Sequence, residues 1–163
     1  MSRKIFLFFI CLSICAVSLA QDSLLGKWKP VSFNMGNMIT SDIKAGTVIL
    51  SDTLKIMFKD DKDPEASLQV MEMMANVMLR KMSNLVMEFF DSGDFSENDV
   101  LKNKMTKGSF QYDVIRKSLI TVTSGVSKAY TINFKDQLLI LTSELKGKDG
   151  NDGVMVVEFE KLK

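Results

Sequence analysis

The chain is predicted to be mainly β, an up-and-down antiparallel barrel of about eight strands with one inserted Met-rich amphipathic helix. Three observations predict it. From Leu85 onward, short segments of alternating apolar residues recur with turn-forming clusters between them. Before that point, one stretch repeats its apolar residues at helical rather than strand spacing. Finally, both cysteines fall within the first twenty residues and the chain has no histidine. A domain without those staples must be held by its apolar core.

The first twenty residues are set apart as a signal peptide. Arg3 and Lys4 form a basic start, and Ile5 to Val17 form an apolar run too short to span a bilayer. Ser18 and Ala20 supply the small residues a signal peptidase requires, so cleavage after Ala20 is expected, with export to the periplasm or beyond the cell. Lipoprotein anchoring at Cys15 is the disfavoured alternative. Ile14 is bulky where the preceding lipobox residue should be small. The mature chain, 21–163, is then a single domain that does not span the membrane.

Cleavage limits the chemistry. Cys11 and Cys15 leave with the signal, so the mature chain has neither thiol nor imidazole. Disulfides, Cys/His metal sites and nucleophiles activated by histidine are excluded, so neither an enzyme nor a cofactor is expected. Lysines and arginines total 21 and acidic residues 20; losing Arg3 and Lys4 leaves 19 against 20, a net charge of −1. Such balance gives no electrostatic footprint for nucleic acid.

Taken in order, Gly26-Lys27-Trp28 begins the first strand. Asn34 to Ala45 reads as a loop because Gly36, Asn37, Ser41 and Asp42 are turn formers. At least one strand is expected among Thr47–Leu50 and Leu54–Phe58. The helix occupies about 64–83: Asp63 caps it, Pro64 takes the first position, and Arg80 and Lys81 suit its negative end. Met71, Met74, Met78 and Met82 form one apolar stripe on it, flanked by Val70, Met73 and Val77. Strands are then expected at Leu85–Phe90, around Phe95, and at Gly108–Val114, Leu119–Thr123, Lys128–Phe134, Leu138–Ser143 and Val154–Leu162. The stretch from Gly147 to Gly153 reads as a hairpin turn; its calcium-loop look fails because Val154 replaces the required glycine.

Period-two alternation assigns inward faces. Met87 and Phe89 share one, as do Phe110 and Tyr112, Ile120 and Val122, Tyr130 with Ile132 and Phe134, Leu139 and Leu141, and Met155 with Val157 and Phe159. Tyr112 and Tyr130 are the only tyrosines, and a buried phenol needs a partner. They are either packed core with hydroxyls at a rim or contacts for a ligand. The methionine stripe permits three readings. Met71, Met74 and Met78 form an adaptable lid over a pocket, a soft-sulfur Cu(I) site, or plain core.

The order of these pieces resembles the lipocalin-like domain family of small exported bacterial proteins. Gly26-Lys27-Trp28, Met87 to Phe95, Gly108 to Asp113, Tyr130 to Phe134 with Leu138 to Leu141, and Val157 to Lys161 carry the resemblance. It implies a barrel plugged at its closed end by Trp28. The chain departs from the pattern in the turn after Phe90, one residue longer than usual, and in the inserted helix. On this reading the protein binds a small hydrophobic or amphipathic ligand, with Tyr112, Tyr130, Met71, Met74 and Met78 as contact residues. The alternative is a non-catalytic envelope interaction module with a filled barrel and an exposed apolar patch that includes Phe90.

Overall fold

The computed structural model describes residues 23–99, 104–145 and 153–163. The segment expected to be a signal peptide, with Cys15, lies outside them, as does nearly all of the stretch 147–153 expected to be a hairpin turn. The first strand, β1, is Gly26–Met35, followed by β2 (Ile39–Asp42), β3 (Thr47–Leu50), helix α1 (Asp52–Met57) and helix α2 (Pro64–Ser83). Then come β4 (Leu85–Phe89), β5 (Asp94–Asp99), β6 (Lys104–Asp113), β7 (Ser118–Thr123), β8 (Val126–Lys135), β9 (Leu138–Leu145) and β10 (Gly153–Lys161).

All pairings are antiparallel. Strands β4 to β10 follow one another as neighbours, and β1 joins β10 to β4 to close an eight-stranded ring. Closure leaves these strands no free edge for stray pairing. The remaining two strands form a hairpin that branches from β1. On one side β1 pairs with β10 along most of its length. On the other, Gly26–Trp28 pair with β4 while Ser32–Met35 pair with β2. The register against β10 shifts between Pro30 and Ser32. A proline lacks the N–H a ladder needs, so an irregularity belongs at this point, where β1 changes neighbours.

This branch corrects one expectation, the loop, and meets another, since the strand expected among Thr47–Leu50 and Leu54–Phe58 is β3. The loop read from Asn34 to Ala45 contains β2, because Ile39 and Ser41 alternate inward after a tight Gly36-Asn37 turn. The buried Ser41 hydroxyl accepts a hydrogen bond from the Phe33 amide at 3.1 Å. The Leu54–Phe58 segment is not a strand. Ser51 caps a short helix there by accepting the Leu54 amide, and Leu54 is its one buried residue.

Helix α2 forms for the reasons its sequence supplies. Asp63 accepts a hydrogen bond from the Ala66 amide at 3.0 Å, Pro64 starts the first turn, and Asn84 ends the helix. The helix packs against β3 and β1, on the branched hairpin. Its inner face is Leu68, Met71, Ala75, Met78, Leu79 and Met82, which meet the core.

The strand interior follows the expected phases in every ring strand assigned one except β7. There Leu119 and Thr121 point inward, at 0 % and 4 % exposure, while Ile120 and Val122 face outward. The register explains it: Leu119 pairs with both Tyr112 and Tyr130, and Thr121 pairs with Phe110, so all share one face. Tight two-residue turns link three of the hairpins. Gly36-Asn37, Ser124-Gly125 and Asp136-Gln137 each carry two successive positive φ angles, the geometry that matches strand twist.

One end of the barrel is solid. Phe89 meets Phe110 edge-on at 5.1 Å and stacks on Phe95 at 6.1 Å. Trp28, 2 % exposed, lies 6.2 Å from Phe134, and its indole N–H donates to the Leu24 carbonyl at 2.8 Å. The Lys161 ammonium sits 5.3 Å from the Trp28 ring centroid. Room for these rings depends on Gly108, which faces Phe95 across the β5–β6 ladder. A Cβ there would lie 2.6 Å from the Phe95 ring and closer still to the Val122 carbonyl oxygen.

Candidate functional site

Above the aromatic base the barrel is hollow. A cavity of about 970 Å³ opens at the end where β4 and β10 begin and β9 finishes. Its depth is set by the strand period. Moving up from the Phe89 and Phe95 layer, the inward residues become Met87, Leu85 and Glu97, and across the barrel Leu141, Met155 and Val157. These are smaller or more flexible than phenylalanine, so the interior widens. The last turn of α2 adds Met78, Lys81 and Met82 to one side.

The walls differ in character. β4 and β10 supply apolar side chains, together with Met78 and Met82, whereas β9 supplies Leu141 and Leu145 beside Thr142, Ser143 and the exposed Glu144. β5, β7 and β8 supply a polar strip. Tyr130 is part-buried in it, and its phenol is held above its ordinary value, first by burial. A hydrogen bond from Thr121 opposes that rise, and the negative charge of Glu97 reinforces it. Glu97 and Thr121 therefore each stand close enough to act on Tyr130. Glu97 was not among the residues singled out from sequence. The available signal is its spacing, two residues after Phe95 on a strand whose phenylalanine faces inward.

The five ligand candidates are not brought together. Tyr130 and Met78 line the cavity. Met71 is on the inner face of α2 but packs into the core rather than lining the cavity. Tyr112 lies toward the opposite end of the barrel, beside the Val114–Arg116 turn, where burial alone raises its phenol. Met74 faces solvent at 61 % exposure, with Val70, Met73 and Val77 beside it. The stripe is thus split between two faces, and Met71, Met74 and Met78 do not converge as a soft-metal site requires. Among the described residues no group of three His, Cys, Asp or Glu side chains could hold a metal ion either.

The split has a measurable consequence. Met74→Asp should change urea-unfolding stability by less than about 0.5 kcal/mol, as surface substitutions usually do. Leu79→Ala, one turn further on the buried face, should cost about 2–5 kcal/mol. Similar losses for both would place Met74 in the core.

The fold is similar to the crystal structure of a DUF4847 family protein from Bacteroides vulgatus, with 10% sequence identity and a TM-score of 0.45. The match covers 85% of this chain and 96% of that one. No protein-family model matches the chain. No curated protein matches it.

Proposed function

We propose that this protein is an exported, lipocalin-like carrier whose half-filled barrel holds one small hydrophobic or amphipathic ligand. The observation that carries the reading is the division of the interior. A solid aromatic base gives way to a cavity of about 970 Å³ walled largely by Leu85, Met87, Leu141, Met155 and Val157. Eight strands enclose an interior that is either packed with side chains or able to hold a single small ligand. Here the lower half is of the first kind and the upper half of the second. Methionines at the mouth, Met78, Met82 and Met155, suit apolar ligands of varied shape because thioethers adapt their packing.

The test is to fill the space. Met155 is half-buried and lines the cavity, so a larger side chain there can occupy the void without displacing the aromatic base. Met155→Trp should weaken binding of an apolar reporter dye by about tenfold or more while leaving the unfolding midpoint near wild type. Unchanged dye affinity in a folded Met155→Trp variant contradicts the proposal.

A second reading, docking of an envelope partner, draws on the outer face of α2. Val70, Met73, Met74 and Val77 form a contiguous exposed apolar row, and Phe90 is exposed elsewhere on the surface. That reading requires a filled barrel, and the cavity weighs against it. Crosslinking in envelope fractions with a photoreactive residue at position 73 separates the two.

A further inference from the structure

Resting on the cavity as the ligand site, we infer that the ligand carries a protonated amine, which the barrel recognises through the Glu97 carboxylate on its inner wall. The placement of Glu97 is the argument. Its Cα partners are Met87 on β4 and Thr106 on β6, and Met87 also lines the cavity. Phe95, two residues earlier on the same face, belongs to the buried aromatic base. The carboxylate therefore stands part-buried just above the barrel floor, not at the rim.

Glu97 makes no ion pair among the described residues. The two lysines that border the cavity, Lys81 at the end of α2 and Lys128 on β8, are exposed and form no salt bridge with it. An acidic group inside a mostly apolar container is costly unless something compensates its charge. A chain-bearing ammonium does so, donating to Glu97 while its hydrocarbon lies along Leu141, Met155 and Val157. Tyr130, close enough to feel the Glu97 charge, adds a phenolic oxygen that can accept from the same amine. A carboxylate ligand would bring like charge to Glu97 and would be held only by the hydrated lysines at the mouth. Charge-assisted hydrogen bonds are the strong ones, so this contact decides selectivity.

Three probes with one fluorescent chain separate the possibilities: a dansyl-labelled alkyl primary amine, the matching carboxylic acid and the matching alcohol. Titrated against wild type, the amine should bind tightest. Glu97→Gln should weaken the amine by about tenfold or more and leave the alcohol within about twofold, whose retained binding also shows that the variant's barrel is intact. Glu97→Asp should recover part of the amine affinity. An acid that binds wild type as tightly as the amine, or an amine indifferent to Glu97→Gln, overturns the inference while leaving the cavity as a ligand site. If none of the three binds, both the inference and the carrier function fail.

Discussion

Phe89→Ala is expected to destabilise the protein by about 3–5 kcal/mol, the range for deleting a buried aromatic ring. Phe89 is 1 % exposed, and the edge-on Phe110 and stacked Phe95 contacts both end on its ring. Its backbone is also the point where β4 meets both β1 and β5, through Gly26 and Phe95. Neighbouring rings cannot collapse into the gap without breaking that pairing, so the void should persist. A domain of this kind has only about 5–15 kcal/mol of stability in total, so the variant should lie close to its folding threshold. Urea unfolding followed by Trp28 fluorescence reads the loss directly. A cost below about 1 kcal/mol would show that the aromatic base is loosely packed and not the barrel's structural half.

Gly108→Ala should be nearly as damaging, although it adds a single methyl group. Gly108 does not need its glycine for a left-handed turn; what it supplies is absence of bulk. The added Cβ would press on the Val122 carbonyl oxygen and reach 2.6 Å from the Phe95 ring. Neither neighbour yields easily, the first being ladder backbone and the second a ring buried in the base. The cost should sit at or above the upper end of the about 1–3 kcal/mol typical of overpacking. Gly153→Ala is the control. Its Cβ would find Leu145 at 3.7 Å, an ordinary contact, so its effect should stay within about 0.5 kcal/mol. Equal effects at the two glycines would contradict the packing described around Phe95.

The sequence made most of the ring legible because its large residues mark one face unambiguously. On β8, Tyr130, Ile132 and Phe134 alternate with Ala129, Thr131 and Asn133, and on β10 Val157 and Phe159 alternate with Glu158 and Glu160. β7 offers no such contrast. Ser118-Leu119-Ile120-Thr121-Val122-Thr123 has β-branched residues on both faces, so its phase is decided by register against β6 and β8, which are distant in sequence. The helix poses the same difficulty in another period. With methionine and valine on nearly every side, residue type points to Met71, Met74 and Met78 as one stripe. The buried centre is instead Ala75 and Leu79, on the face from which α2 packs against β1 and β3. β2 was hidden by its own turn, since Gly36 and Asn37 mark a hairpin as readily as a loop. Of the candidate site, Tyr130 and Met78 were legible as inward apolar-phase residues. Glu97 was not, because a single carboxylate in a short strand gains meaning only once Met87 and Tyr130 are placed beside it.

The central claim is that the upper half of the barrel holds a ligand. Native mass spectrometry of protein purified from its own host under mild conditions tests it most directly. The expected spectrum shows a species heavier than the bare chain by the mass of one small molecule, released on activation and absent from Met155→Trp. A bare chain in both proteins, together with no uptake of an apolar dye by wild type, would contradict the claim.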